Sequence, residues 1–220
     1  MGKLIIIEGV DGSGKTTQVK MLEELLVAKG KTVKCVKFPN YQSPTGQLVS
    51  SYLKNEFGPA SELDPRLSCA LYALDRAAHK EHLKRYIEEY DYVLLDRYFY
   101  SNIALQGAKG HVLYETIRDF VLEIEADQIG LPLGKVIWLN YNSGESAKER
   151  LKERGEESGT GVALDGHESD EKYMARVAST YKLMANDLEF NEVKVFEKTG
   201  VRKTAICLAV EIEQLVNGVS

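Results

Sequence analysis

A phosphate-binding loop lies near the N-terminus of this 220-residue chain. Residues Gly9 to Thr16 fit the pattern G-x-x-x-x-G-K-[ST] at every required position. Glycines without a Cβ let consecutive backbone N–H groups close around an anionic phosphate. The lysine of this pattern reaches the outer phosphates of a nucleotide, and the hydroxyl that follows it completes magnesium coordination. We therefore predict that the phosphates of a nucleotide are bound by the loop and the residue after it: Gly9, Val10, Asp11, Gly12, Ser13, Gly14, Lys15, Thr16 and Thr17.

The segments on either side of this loop support a functional interpretation. The apolar run from Leu4 to Ile7 predicts a buried strand before the loop, and Val19, Leu22 and Leu26 have helical spacing after it. The N-terminus of a helix adds a favourable dipole for an anion. The alternative is a glycine-rich turn that binds nothing, and the strand and helix on its two sides argue against it.

A second group of polar residues follows another apolar strand. The run Val93-Leu94-Leu95 ends in Asp96 and Arg97, at the end of a strand where the phosphate loop should also lie. Asp96 is predicted to hold magnesium through water, together with Thr16, and Arg97 to clamp a second phosphate with its planar guanidinium. A simple ion pair at the end of a strand is the alternative.

Tyr72 and Arg76 are four residues apart in a long helical pattern, so they share one face of the helix. An aromatic plane and a guanidinium on one face suit the stacking and recognition of a nucleotide base. Considered alone, such an aromatic residue is more often part of the core, and such an arginine is more often a solvated surface charge.

Strands and helices alternate along the chain, which predicts an α/β fold. The expected architecture is a P-loop NTPase-type doubly wound sheet of about five parallel strands flanked by helices, in a single domain of residues 1–220, with ligands at the carboxyl ends of the strands. Predicted strands cover 4–8, 32–38, 92–95, 136–140 and 193–196; predicted helices cover 44–55, 65–89, 113–127 and 203–216.

Residues 143–172 form a candidate lid segment. A charged helical pattern ending at Arg154 leads into the glycine-rich run from Gly155 to Gly161. Such a segment is either a passive surface loop or a lid that closes over a nucleotide and expels water. Arginines at its start favour the lid.

Composition and charge exclude several classes of protein. The net charge of −5 argues against a general nucleic-acid binder, because phosphate backbones are bound by accumulated lysine and arginine. No long uncharged apolar run suits a membrane span. Cys35, Cys69 and Cys207 are widely separated, which predicts reduced core thiols in a cytoplasmic protein. His79 and His82 are interpreted as residues on a helix surface.

These features together make the chain resemble the thymidylate kinases, and the match runs nearly end to end. Asp11 within the loop is more restrictive than the phosphate-binding pattern alone. The residues that carry the resemblance are Glu8 to Thr16, Phe38-Pro39, Tyr72, Arg76, Asp96-Arg97-Tyr98, Ser101-Asn102, Ala104 and Gln106-Gly107-Ala108.

The resemblance implies transfer of the γ-phosphate of ATP to dTMP, with Mg²⁺ as cofactor, in a homodimer packed through helices. It implies that Asp11 approaches the sugar hydroxyl of the monophosphate and that Arg97 binds its phosphate. It also implies that Phe38 lines the sugar and base pocket, that the aromatic ring of Tyr72 stacks on thymine, and that Arg76 donates to the 4-oxygen. The full expected acceptor set is Asp11, Phe38, Tyr72, Arg76, Arg97, Ser101, Asn102, Leu105 and Gln106, in which Ser101 or Asn102 faces the edge of the ring.

The chain departs from the family pattern at two points. Leu105 stands before Gln106-Gly107 where members commonly carry an aromatic ring against the sugar, so exclusion of ribonucleotides is expected to be weaker. Family members also place an arginine in the phosphate loop or the lid, whereas this loop has Gly12 and residues 155–171 contain no arginine or lysine. Phosphoryl transfer needs positive charge near the transferring group. The expected sources of that charge are Arg150 and Arg154, which precede the lid, together with Lys15 and Arg97. Asp11 completes the expected catalytic set as a positioning residue.

Two other functions compete with this prediction. One is another nucleoside monophosphate kinase, or a deoxynucleoside kinase, with a different acceptor pocket. The other is a nucleotide-dependent switch, although the guanine-reading N-K-x-D pattern is absent from the sequence. Tyr72, Arg76 and Asn102 favour the thymidylate kinase over the first of these.

Overall fold

A computed structural model of the chain describes residues 2–60, 62–141 and 171–218. Within these residues five strands form one sheet in the order β2-β3-β1-β4-β5, and every neighbouring pair is parallel. The strands are β1 Lys3–Glu8, β2 Val33–Lys37, β3 Tyr92–Asp96, β4 Lys135–Asn140 and β5 Asn191–Lys194. The predicted α/β fold with about five parallel strands is confirmed.

Helices connect these strands. The bounds of the helices are α1 Lys15–Ala28, α2 Pro44–Leu53, α3 Pro65–Glu89, α4 Phe99–Gly107, α5 Tyr114–Val121, α6 Glu171–Asp187 and α7 Ala205–Asn217. A π-helical segment, Leu122–Gln128, continues directly from α5. Ser43 and Asp64 cap α2 and α3 by accepting from Gly46 N and Arg66 N, and proline follows each cap.

The central strands are apolar on both faces because helices cover both sides of a parallel sheet. Ile5, Ile6 and Ile7 of β1 are fully buried, and so are Val93, Leu94 and Leu95 of β3. The register pairs Ile7 of β1 with Asp96 of β3. This pairing brings the phosphate loop, which follows β1, next to the residues that follow β3.

Four smaller expectations need correction. Helices α4 and α6 were not predicted, and the predicted helix of residues 113–127 changes to π-helical geometry at Leu122. Cys207 is exposed and is not a core thiol. His79 is half-buried, where its Nδ1 lies 2.8 Å from Asp75 O, so it is not a free surface residue.

Among the described residues no helix is both long and apolar enough to cross a membrane.

Candidate active site

The backbone of the phosphate loop adopts conformations that glycine tolerates best. Gly9, Gly12 and Gly14 have φ values of 150°, 76° and 95°. A Cβ on Gly9 would also lie 2.9 Å from Leu139 O of β4. Gly14 precedes α1 and no side chain caps that helix. The first turn of α1 therefore presents backbone N–H groups and a favourable dipole to an anion.

Lys15 is folded back on the loop. Its Nζ donates to Val10 O at 2.8 Å and lies 3.9 Å from Asp11 Oδ1. Burial lowers the pKa of Lys15 to about 8, and the positive charge of Arg97 acts in the same direction, while Asp11 and Asp96 oppose it. A nearby anion would restore the full charge of this buried ammonium, which is the electrostatic situation expected of a phosphate-binding lysine.

Thr16 and Asp96, the two residues predicted to hold magnesium, meet beside the loop. Thr16 Oγ1 donates to Asp96 Oδ2 at 2.6 Å. Mg²⁺ prefers such hard oxygen ligands and usually takes one or two protein side chains plus substrate phosphates. The donor set present here therefore fits magnesium.

Lys37 also lies at this site, although its sequence pattern did not lead us to predict it as a site residue. Its Nζ lies 3.7 Å from Asp96 Oδ2, and 59% of its side chain is exposed. The available signal was its position at the end of β2, because strand ends at one edge of a parallel sheet share a site.

Arg97 joins the two halves of the site. Its Nη1 donates to Ser101 Oγ at 3.1 Å and its Nη2 donates to Asp11 Oδ1. Burial disfavours the charged guanidinium most strongly, but Asp11, Tyr181, Glu8 and Asp96 together outweigh burial and raise the pKa of Arg97 above its ordinary value. The φ of Arg97 is 72°, a left-handed conformation that costs energy in a residue with a Cβ. Strained backbone of this kind clusters at functional sites.

A buried carboxylate, Glu8, supports this arrangement and was not predicted as a site residue. It accepts hydrogen bonds from Tyr98 N (2.8 Å), Ser101 N (3.2 Å), Ser101 Oγ (2.6 Å) and Tyr181 Oη (2.8 Å). Burial raises the pKa of Glu8 despite the charge of Arg97. Glu8 thus ties β1 to the N-terminus of α4 and to α6. A glutamate at the end of a fully apolar strand was the signal for such a role.

Phe38 is buried beside Tyr98 at the start of α4, and a hydrogen-bonded turn fixes the segment that follows it. Its ring is buried and packs at 6.2 Å from Tyr98. Asp75 of α3 accepts from Asn40 N at 2.9 Å and from Ser43 Oγ at 2.9 Å. The segment after Phe38 is therefore fixed to α3. The peptide bond between Phe38 and Pro39 is cis.

Tyr72 and Arg76 share a face of α3, as predicted, but their surroundings differ. Tyr72 is half-buried and meets the Tyr52 ring edge-on at 6.2 Å. Arg76 is only 3% exposed, so it is not the solvated surface charge that its type alone suggests. It forms a bidentate ion pair with Glu125, which is 1% exposed. We did not predict Glu125 as a buried residue from the sequence. The signal was its position, because it continues the i, i+4 stripe of Ile117 and Val121.

Helix α4 carries the remaining acceptor candidates. Ser101 and Asn102 are buried, Leu105 is half-buried, and the carbonyl of Leu105 accepts from Tyr173 Oη at 2.8 Å. The buried Oε1 of Gln106 has no hydrogen-bond partner among the described residues. Of these candidates Ser101 contacts Arg97 directly, because its Oγ accepts from Arg97 Nη1.

Two of the cations expected near the transferring phosphoryl group belong to a part of the chain that the structure does not describe. Arg150, Arg154 and the candidate lid lie outside the described residues, apart from Glu171 and Lys172, which begin α6. Another cation, Arg202, stands beside the phosphate loop: its Nη2 would lie 3.9 Å from a Cβ on Gly14, and its Cζ lies 5.8 Å from the Tyr141 ring centroid. Nothing in its local sequence indicated this position.

Comparison with known families identifies the chain. A family model described as thymidylate kinase matches residues 7–202. The chain belongs to the thymidylate kinase family. The matched range begins in β1, includes the phosphate loop and the Asp96-Arg97 pair, and ends just before α7. The chain is accordingly a kinase, and the predicted family resemblance is confirmed.

Individual thymidylate kinases support the same assignment. A thymidylate kinase of Mycobacterium tuberculosis (strain ATCC 25618 / H37Rv) is 34% identical over 184 residues, which are 83% of this chain and 85% of the relative. One from Synechococcus sp. (strain CC9605) is 35% identical over 163 residues, or 70% of this chain and 74% of the relative. The solved structure of a thymidylate kinase from Candida albicans has the same fold, with a TM-score of 0.69 at 24% identity, covering 99% of this chain and 92% of the other.

Proposed function

We propose that this protein transfers the γ-phosphate of ATP to dTMP and releases dTDP and ADP. One observation carries the proposal: Arg97 and Asp11 form an ion pair that connects the phosphate loop to the end of β3. A donor loop alone serves many enzymes and switches. A guanidinium beside that loop, in addition to the ammonium of Lys15, supplies what an acceptor phosphate requires. The switch and the other monophosphate kinases are less favoured, because family membership supports thymidylate as the acceptor.

The donor side holds and neutralises the triphosphate. The backbone N–H groups of the loop and of the first turn of α1 bind the phosphates, and Lys15 leaves Val10 O to reach the outer ones. Thr16 and Asp96 would hold magnesium, which when bound supplies positive charge to the phosphate oxygens. Arg150 and Arg154 are proposed to add charge at the transferring group.

The acceptor side orients dTMP for an in-line reaction. Arg97 binds the acceptor phosphate, one oxygen of which attacks the γ-phosphorus as the bond to the bridging oxygen of ADP breaks. That oxygen is already ionised, so no general base is needed and Asp11 acts by positioning the sugar hydroxyl. The proposed contacts to the nucleoside are Phe38, Tyr72, Arg76, Ser101, Asn102, Leu105 and Gln106.

A panel of nucleoside monophosphates at fixed ATP and magnesium tests the reaction and the acceptor together. Coupled ADP release is expected with dTMP at a rate far above that of ATP alone. Slow hydrolysis that is indifferent to every monophosphate would support the switch instead. If another monophosphate is preferred, that monophosphate and not dTMP is the acceptor, and the conclusion that the protein is a kinase still holds.

Leu105 predicts weak discrimination against a 2′-hydroxyl. Without an aromatic ring against the sugar, we expect the ratio of kcat/KM for dTMP over its ribonucleotide to be low, and to rise about tenfold or more in Leu105→Tyr, because a bulky ring clashes with the extra hydroxyl. Steady-state kinetics on the two substrates measure this ratio. Strong rejection of the ribonucleotide by the unaltered protein would mean that another residue excludes it.

We further propose that residues 1–220 form a single domain with a lid at about 143–172, and that two copies form a homodimer in the cytoplasm. The resemblance supports a dimer packed through helices, and Leu67 and Leu74 on α3 are half exposed, which suits such packing. Sedimentation velocity would detect the dimer.

A further inference from the structure

The buried ion pair of Arg76 and Glu125 requires an explanation beyond stability. Arg76 donates from Nε to Glu125 Oε2 and from Nη2 to Oε1, the latter at 2.5 Å, and neither side chain is more than 3% exposed. Buried ion pairs rarely stabilise a fold more than apolar residues of the same size would, because both charges lose their hydration. A pair retained at this cost is a candidate for a role in recognition.

Glu125 also contacts Asn102 on the neighbouring helix α4. Asn102 Nδ2 donates to Cys69 O at 3.2 Å and lies 3.4 Å from Glu125 Oε1. Both partners are acceptors, so the amide nitrogen must face them and Oδ1 must face away. Glu125 therefore helps to fix which end of the Asn102 amide is presented to a ligand.

The cluster leaves one donor and one acceptor unused. Within the described part of the chain, Arg76 Nη1 and Asn102 Oδ1 make no hydrogen bond. Both belong to side chains that are at least 97% buried. An unused donor and an unused acceptor held this rigidly are suited to a ligand that offers the complementary pair of groups.

Thymine and uracil offer that complementary pair, and cytosine offers its inverse. A keto pyrimidine has an accepting O4 beside a donating N3–H, whereas cytosine has a donating 4-amino group beside an accepting N3. We propose that Glu125 is a positioning residue that holds Arg76 and Asn102 in the orientation that selects a 4-keto pyrimidine monophosphate. The proposal rests on the proposed function and adds to it a residue that does not itself contact the base.

Substitution of Glu125 by glutamine tests this role. Glutamine keeps the size of the side chain but removes its charge, and its amide can donate towards Arg76 and Asn102 as well as accept. We expect kcat at saturating dTMP to stay within a few fold, KM for dTMP to rise about tenfold or more, and the preference for dTMP over dCMP to fall by a similar factor. The preference for dTMP over dUMP should not change, because the two bases present the same 4-keto edge.

Matched controls separate recognition from folding. Glu123→Gln changes an exposed glutamate of the same π-helical segment and should leave every kinetic constant unchanged. Glu125→Asp restores the charge on a shorter side chain and should recover part of the dTMP preference. If circular dichroism shows that Glu125→Gln does not fold, the same kinetic comparison is made with Glu125→Asp.

Two results would overturn the proposal. One is a folded Glu125 variant that loses thermal stability but keeps the dTMP to dCMP ratio, which would make Glu125 purely structural. The other is an equal loss of preference for dTMP over dUMP, which would mean a general loosening of the pocket. Failure of the proposed function would look different, since the unaltered protein would then show no ADP release that depends on dTMP.

Discussion

An Arg97→Ala variant is expected to lose most of its affinity for dTMP. Arg97 is proposed to hold the acceptor phosphate through charged hydrogen bonds, and loss of such a partner costs about 2–5 kcal/mol. This corresponds to a roughly 30- to 5,000-fold increase in Kd. Isothermal titration of dTMP into the protein measures the change directly. Affinity for ATP should change much less, because the loop and Lys15 remain.

Two further variants control for indirect effects. Arg85→Ala removes an exposed arginine from α3 and should leave dTMP binding intact. Arg97→Gly removes the same guanidinium but relieves the left-handed backbone at φ 72°, so it should be about 1 kcal/mol more stable than Arg97→Ala while binding dTMP equally poorly. Unchanged dTMP affinity in either Arg97 variant would count against the proposed phosphate contact.

A Glu8→Ala variant is expected to show the largest loss of stability. The substitution leaves the buried donors Tyr98 N, Ser101 N and Tyr181 Oη without their acceptor and leaves the nearby charge of Arg97 less compensated. Breaking a buried charged network of this kind costs about 3–5 kcal/mol. Urea unfolding monitored by circular dichroism gives the free energy of unfolding. Glu24→Ala, at an exposed position of α1, is the matched control and should be nearly neutral.

The same carboxylate makes stability depend on pH. Because burial raises the pKa of Glu8, its contribution to the free energy of unfolding is fully present below the ordinary value of 4.5 and is lost as the pH rises through the raised value. Glu8→Gln has no such titration. The stability of the unaltered protein relative to Glu8→Gln should therefore fall as the pH rises above about 4.5. A difference that stays constant with pH would show that the pKa is not raised.

Local patterns were sufficient to predict most of the fold. The apolar runs of β1 and β3 lie in a sheet covered on both faces, so they stay apolar along their whole length. Proline and a capping side chain mark the starts of α2 and α3 within one residue. Helix α4 escaped prediction because nearly all of its side chains are buried, which removes the amphipathic period. Helix α6 does carry that period, at Tyr173, Val177, Tyr181 and Met184, and omitting it was an error.

The sequence by itself determined the phosphate loop, the Asp96-Arg97 pair and the family resemblance, because the residues of each motif are close in the chain and their chemistry depends on local spacing. Only the tertiary structure decided which distant side chains complete them. Glu125 is 49 positions from Arg76, and Tyr181 is 173 positions from Glu8. Periodicity tells which face of a helix is buried but not which residue it meets there. The partner of a buried charge is set by how helices pack across the sheet, and that packing depends on the whole chain.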